Sequence, residues 1–188
     1  MAFQLNGYAL IPQAITYNEW RGYLLTHGVN VDWTYGNGNQ CWDSCALLWY
    51  QYGLRLETGP LGYAYECWTV SKDTNARTPF IQITDKEKIK RGDCLVFNRV
   101  GSYRTGHIAF ADEDYKKQQN ILCLGQNQGQ GIGIGTPSNI APMNLANFLG
   151  AFRNTKWTTE PEPEPPTPGT VTDKRFPWVL YARKLRQH

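Results

Sequence analysis

Apolar side chains recur at helical spacing in two segments of the N-terminal half. In residues 16–28 they share one face, whose members are Tyr17, Trp20, Tyr23 and Leu24. In residues 41–53 a second face contains Cys45, Leu48, Trp49 and Tyr52. A glycine closes each segment, Gly28 and Gly53, as is common where a helix ends. The pattern predicts two helices, with Cys41 near the N-terminus of the second, and a short helix around residues 63–70.

The pattern changes in the second half of the chain to short runs of β-forming residues separated by turn residues. Four such runs predict strands at 94–98, 106–112, 121–126 and 148–153. Residues 1–14 are expected to be an irregular lead-in, and residues 31–40 a loop rich in Gly and Asn. Helices followed by antiparallel strands are typical of the α+β class, with N-terminal helices packed on an antiparallel β-sheet.

The composition changes near Glu160, where prolines dominate the sequence. We therefore predict a folded domain over residues 1–157 and a semi-rigid proline-rich linker over 158–170. Residues 171–188 form a basic, aromatic tail that is too short to be a domain. This tail either docks on a cell wall, a membrane or a virion protein, or packs its aromatic rings on the parent domain; we favour docking.

Charge and cysteine content narrow the classes of function. The net charge is +3 and no dense Lys/Arg stripe occurs, so we expect no nucleic-acid partner. Five cysteines at irregular spacing do not form a disulfide pattern, and no CxxC pair predicts zinc. No signal peptide and no membrane-length apolar run are visible, so we expect synthesis in a reducing cytoplasm.

Cys41 and His107 are the best candidates for nucleophilic catalysis. A helix N-terminus and a neighbouring imidazole both favour the thiolate form of cysteine, and Cys41 has the first feature. His107 opens a predicted strand and is the best base that the chain offers. Asn127, in the turn after the third strand, is a candidate for orienting the imidazole. Gln40 is a candidate, with the Cys41 backbone N–H, for binding an oxyanion.

Four motifs occur in a characteristic order: Gln40-Cys41-Trp42-Asp43, Arg91-Gly92-Asp93, Gly106-His107-Ile108-Ala109 and Gln126-Asn127. Over roughly residues 15–153 the chain thereby resembles the CHAP domain (cysteine, histidine-dependent amidohydrolase/peptidase) of phage lysins. The resemblance implies a papain-like fold, Cys41 as nucleophile and His107 as base. It also implies cleavage of peptidoglycan, at the N-acetylmuramoyl-L-alanine amide or within the stem peptide or cross-bridge. The protein would be made in the host cytoplasm and act at the bacterial cell wall, as a free endolysin or as a virion component.

Two positions depart from the phage-lysin pattern. Many such lysins carry Glu-Gln-Asn where this chain has Gly125-Gln126-Asn127, so either Asn127 orients the histidine alone or an acid such as Asp112 approaches. Some members also bind calcium just before the nucleophile. Asp32 and Asp43 match two of those ligand positions, but Thr34 replaces a further Asp. We therefore expect no required cofactor, with calcium at Asp32 and Asp43 as the one candidate, against the alternative that Asp32 caps a turn and Asp43 stabilises its helix.

Two other interpretations remain open. The related NlpC/P60 hydrolases favour Asp-Cys-Ser-Gly at the nucleophile and a second histidine, and the sequence around Cys41 does not match that pattern. A virion structural or adhesion protein with a degenerate CHAP-like fold is the rival from another class. Two features support this rival: residue 125 is a glycine rather than a glutamate, and the chain has a basic tail.

Overall fold

The computed structural model describes residues 3–5, 16–26, 31–33, 40–129 and 135–157. The helices are α1 (Tyr17–Thr26), α2 (Cys41–Gln51), α3 (Glu66–Thr69) and α4 (Lys72–Asn75). The strands are β1 (Phe3–Leu5), β2 (Val31–Trp33), β3 (Phe80–Ile83), β4 (Cys94–Phe97), β5 (His107–Ala111), β6 (Asn120–Gly125), β7 (Asn139–Asn144) and β8 (Phe148–Asn154). Short 3₁₀ turns occupy Lys86–Lys88 and Leu145–Asn147.

Six of the strands form one antiparallel sheet in the order β3-β8-β4-β5-β6-β7. The remaining two, β1 and β2, pair antiparallel in a separate ribbon. The central strands β4 and β5 are buried along their whole length, so both faces of the sheet must be covered. This architecture confirms the predicted α+β class with helices packed on an antiparallel sheet.

Alternating side chains of the central strands pack into two separate cores. One core lies between the helices and the sheet, where β5 contributes Ile108 and Phe110. The other core covers the opposite face, where β5 contributes Ala109 and Ala111. Because side chains alternate along a strand, His107 has the same parity as Ala109 and faces away from Ile108.

Helix α2 is buried on nearly all sides, which fits its apolar composition. Trp49 stacks on Phe80 with ring centroids 3.8 Å apart and meets Phe152 edge-on at 5.6 Å. The indole N–H of Trp49 also donates to the Asn75 carbonyl oxygen at 3.1 Å. These contacts fix α2 against the sheet, and so fix the position of Cys41 at its first turn.

Helix α1 is attached to the end of β5 through Asp112. Arg21 binds this carboxylate through two N–H groups at 2.6 and 3.0 Å, and the Tyr17 hydroxyl donates to it at 3.0 Å. Asp112 is therefore occupied in fixing α1, and it is not placed beside His107 as one of the sequence alternatives supposed.

The four predicted strands and the three predicted helices are confirmed, with ends shifted by a few residues. The sequence prediction missed α4 and the four strands β1, β2, β3 and β7. β7 contains Pro142, which argues against a strand by pattern, but β7 lies at a sheet edge where a missing N–H is tolerated. The expectation of an irregular lead-in was wrong for residues 3–5, because they pair with β2.

The linker at 158–170 and the tail at 171–188 lie outside the described residues. Within the residues that are described, no helix is both long and apolar enough to cross a membrane.

Two glycines provide a matched test of the packing on the helix side of the sheet. A Cβ at Gly150 would fall inside van der Waals contact with the Trp68 ring, whereas a Cβ at Gly22 of α1 meets nothing within 4 Å. We expect Gly150→Ala to lower the free energy of unfolding by about 1–3 kcal/mol through overpacking. Gly22→Ala should raise it by about 0.5–1 kcal/mol, because alanine loses less backbone entropy in a helix. Urea unfolding of both variants measures this, and an equal effect at the two positions would contradict the packing described.

Candidate active site

Cys41 is the first residue of α2 and is 7% exposed. The residue before it, Gln40, donates its backbone N–H to the Asp43 carboxylate at 2.6 Å, which secures the start of the helix. The Cys41 sulfur accepts a hydrogen bond from the backbone N–H of Ile108. The predicted nucleophile therefore lies in the first turn of its helix and next to Ile108, the residue that follows His107.

His107 is the first residue of β5 and is 1% exposed. Its Nε2 lies 2.9 Å from the side-chain oxygen of Gln128. Its Nδ1 is buried and has no hydrogen-bond partner among the described residues. The Tyr103 ring covers the imidazole, with ring centroids 4.7 Å apart. Cys41 thus lies beside the backbone that joins His107 to Ile108, whereas the imidazole contacts Gln128 and Tyr103 on the face of the sheet away from the helices, and the two side chains share no hydrogen bond.

Asn127 does not make the contact to His107 that the sequence prediction gave it. Its side-chain N–H donates instead to the Gln40 side-chain oxygen at 3.1 Å. Asn127 has a left-handed backbone, with φ of 51°, and so turns the chain sharply after β6. The following residue, Gln128, is the one that reaches the imidazole. Residue spacing alone did not distinguish these two amides, because the turn decides which of them faces the ring.

Three consecutive amide side chains after β6 connect distant parts of the site. Gln126 is fully buried, and it accepts from the Val31 N–H at 2.6 Å and donates to the Val31 carbonyl at 2.9 Å. It also donates to the Gln40 carbonyl at 3.0 Å. Asn127 binds the Gln40 side chain, and Gln128 binds the histidine. The carbonyl and the side chain of the residue before the nucleophile are therefore both held by this turn.

Burial dominates the electrostatics of the two candidate catalytic groups. It raises the pKa of the Cys41 thiol to about 12, and the Ile108 and Trp42 N–H groups oppose this only in part. Burial also lowers the pKa of His107 to about 4, against a smaller opposite effect of the hydrogen bond to Gln128. The expected stabilisation of a thiolate by the helix N-terminus is outweighed here. At neutral pH the pair is a neutral thiol beside a neutral imidazole.

A cavity of about 240 Å³ lies next to His107. Tyr103, Phe97, Asn98 and Asn147 line it together with the histidine. Phe97 and Tyr103 belong to the core on the face of the sheet away from the helices, so the cavity lies on that side. It gives His107 an aromatic wall, and its lining also contains four asparagines, Asn98, Asn120, Asn144 and Asn147.

The two acids proposed as calcium ligands differ in their surroundings. Asp32, on β2, has one carboxylate oxygen that is buried without a hydrogen-bond partner in the described part of the chain. Asp43 is buried and accepts the Gln40 N–H. Among the described residues, no group of three or more His, Cys, Asp or Glu side chains is arranged to hold a metal ion. Residues 34–39, between these two acids, lie outside the described residues.

The buried histidine predicts a specific dependence of stability on pH. An unfolded chain titrates histidine near 6.5, whereas burial lowers the pKa of His107 to about 4 in the folded protein. Between these values the unfolded chain binds a proton that the folded chain does not. The stabilising contribution is therefore complete above about pH 6.5. It is lost as the pH falls toward 4, by at most about 1.4 kcal/mol per pH unit.

His107→Gln removes this titration and keeps a donor for Gln128. All other titratable groups are common to both proteins, so we expect a steeper loss of unfolding free energy between pH 6.5 and 4 in the wild type. Urea unfolding at several pH values gives the comparison. Identical slopes would contradict a buried neutral imidazole.

No protein-family model matches the sequence, and no curated protein matches it either. The fold is similar to the crystal structure of the wild-type endolysin LysIME-EF1, with a TM-score of 0.57 and 25% sequence identity. The similarity covers 74% of this chain and 64% of the endolysin chain, which is less than two thirds of the endolysin's length. The six-stranded sheet and its few helices thus form a lysin-like α+β fold.

Proposed function

We propose that this protein is a phage peptidoglycan hydrolase that cleaves amide bonds by a cysteine–histidine mechanism of the CHAP type. The observation that carries the proposal is the placement of Cys41 at the first turn of a buried helix, beside the start of the strand that bears His107. The likeness to an endolysin supports a cell-wall substrate in general terms. Action at the bacterial wall, and docking through residues 171–188, belong to the same proposal.

The mechanism begins with attack of the Cys41 sulfur on the amide carbonyl carbon. The thiol proton passes to Nδ1 of His107, which has no hydrogen-bond partner among the described residues, in a step that requires the two side chains to approach each other, and the carbonyl π electrons move to the carbonyl oxygen. The Cys41 backbone N–H and the Gln40 side chain stabilise this oxyanion. The C–N bond then breaks, and the leaving amine takes the proton from Nδ1. Water, deprotonated by the same nitrogen, hydrolyses the thioester and restores the thiol.

The raised pKa of Cys41 and the lowered pKa of His107 determine the timing of the first step. With values of about 12 and about 4, a thiolate–imidazolium pair is unfavourable in the empty site. Proton transfer must therefore accompany the attack on carbon, because the new C–S bond then removes the charge from sulfur. Such a site protects a cytoplasmic thiol from adventitious oxidation until substrate is bound.

The second candidate, a virion structural protein with an inactive fold, rested on the missing glutamate at position 125 and on the basic tail at 171–188. Its support is weaker once a different side chain, that of Gln128, is seen to bind the imidazole. Alkylation of Cys41 at neutral pH in the presence of wall fragments separates the two candidates. Protection of Cys41 by the fragments favours the enzyme, because a bound substrate covers the nucleophile, and a rate that the fragments leave unchanged favours the structural protein.

Loss of the nucleophile provides the direct test of activity. We expect Cys41→Ala to abolish the fall in turbidity of purified Gram-positive walls, because the proposed mechanism needs the Cys41 sulfur as its nucleophile. Cys67→Ala is the matched control, since Cys67 is also a buried thiol but belongs to α3 in the helix-side core. It should retain activity per folded molecule. Equal lysis by wild type and Cys41→Ala would overturn the mechanism.

The scissile bond is identified from the ends that digestion creates. We propose cleavage at the N-acetylmuramoyl-L-alanine amide or within the peptide. A new N-terminal alanine with free muramic acid identifies an amidase, whereas a new glycine or D-alanine terminus identifies an endopeptidase. Digestion of a defined peptidoglycan, followed by mass spectrometry, distinguishes them.

Calcium at Asp32 and Asp43 is a further part of the proposal. The unpartnered, buried oxygen of Asp32 is suited to a hard cation, whose charge would offset the cost of burial. We expect calcium to raise the thermal midpoint of the wild type but not of Asp32→Asn, by the linkage of binding to folding. Asp73→Asn, which alters an exposed acid paired with Gln82, is the control and should respond like the wild type. The same shift in all three proteins would exclude Asp32 as a ligand.

A further inference from the structure

The side-chain amide of Gln128 is fixed in one orientation by three partners. Its NH₂ group donates to the Cys123 carbonyl at 2.8 Å and to the Asn139 carbonyl at 2.9 Å. Both of its N–H bonds are therefore used, and only the amide oxygen remains to face His107 at 2.9 Å. A flipped amide would bring its oxygen against two backbone carbonyls and lose both bonds. Gln128 is 1% exposed, so water does not offset that loss.

This orientation determines which nitrogen of His107 carries the proton. An amide oxygen can only accept, so Nε2 must be the protonated nitrogen of the neutral ring. Nδ1 is then the bare, basic nitrogen, and it is the one left without a partner. The base is thereby held in the form that can receive a proton from the thiol. A carboxylate in the place of Gln128 would fix the same tautomer, but it would also favour the charged imidazolium.

Gly125 explains why Gln128 can occupy this position. A Cβ at residue 125 would lie 2.9 Å from the Gln128 side-chain oxygen and 2.9 Å from the Ala109 Cβ. The space beside the imidazole that a side chain at 125 would enter is thus already filled by the Gln128 amide. The glycine and the glutamine are therefore complementary, since a Cβ at 125 would press on the Gln128 oxygen as well as on Ala109.

We propose that Gln128 is the positioning residue of His107, that it acts from the space left by Gly125, and that it holds the imidazole as the Nε2–H tautomer. The role of Gln128 in catalysis rests on the proposed function, whereas the tautomer of His107 and the coupling of Gln128 to Gly125 do not. Gln128 contacts neither nucleophile nor substrate, so it acts only through the ring. The third member of the site is therefore a neutral amide supplied three residues after the position where a glutamate was expected.

The tautomer is measured directly on the full chain by long-range ¹H–¹⁵N correlation spectra of the histidine rings. His107→Gln identifies the signals of this residue. We expect a protonated Nε2 and a bare Nδ1 in the wild type at neutral pH, and a mixture of tautomers in Gln128→Met, which keeps the volume but removes the acceptor. A protonated Nδ1 in the wild type would overturn the proposal, and so would an unchanged tautomer in Gln128→Met.

A double-mutant cycle tests the coupling of the two positions. Gly125→Ala inserts a methyl group against the amide oxygen, and Gln128→Met removes that oxygen. We expect each to lower the rate of wall hydrolysis roughly 10- to 100-fold, as is usual for partners that orient a functional histidine. The double variant should lose little more than Gln128→Met alone, because both changes break the same contact. Losses that multiply would show that the positions act independently and would overturn the coupling.

Two controls separate this inference from folding and from the proposed function. Gln82→Met alters a glutamine whose amide binds the exposed Asp73, and it should change neither the tautomer nor the rate. If Gly125→Ala does not fold, the spectra of the wild type and of Gln128→Met still decide the tautomer. If Cys41→Ala retains full lysis, the proposed function is wrong. The spectra of the wild type and of Gln128→Met then still decide the tautomer of His107.

Discussion

The requirement that buried amide groups be hydrogen bonded is the constraint on which the site depends. Gln126 and Gln128 are buried completely or almost completely, so each must find partners within the protein. Gln126 finds them on β2 and on the residue before Cys41, while Gln128 finds them on β6, β7 and His107. Satisfying these amides draws together segments that lie far apart in sequence. The turn that carries them therefore connects the start of the helix at Cys41 with the imidazole of His107.

The same burial sets the chemical character of the site. A thiol and an imidazole held away from water both favour their neutral forms, and no charge among the described residues reverses this preference. Asp112, the acid nearest in sequence to the end of β5, is committed to Arg21 and Tyr17. The site therefore relies on geometry and on a bound substrate rather than on a preformed ion pair. In this respect it differs from sites that keep a permanent thiolate.

Much of the fold and the two central residues of the site could be predicted from the sequence. The periodicity around Trp49 identified a buried helix, and that helix places Cys41 at its N-terminus as expected. Strand periodicity likewise placed His107 at the start of a strand. The partner of the imidazole could not be predicted, because it depends on the left-handed turn at Asn127 and on the space at Gly125. Both are three-dimensional properties that residue order does not express. β7 was missed for a related reason, since only the sheet order shows that Pro142 lies on an edge strand.

The anchoring of Gln128 has a consequence for how activity depends on assembly. Its two carbonyl partners belong to different strands of one hairpin, Cys123 to β6 and Asn139 to β7, and they lie near the end of the hairpin where β6 leads into the segment that connects the strands. Both carbonyls are in place only when the two strands have paired in the observed register. A slip by one residue would turn every side chain to the other face and leave the amide without its supports. The orientation of His107 therefore depends on the pairing of β7, the edge strand, with β6. In a newly made chain the imidazole is fixed as described only once these two strands have paired.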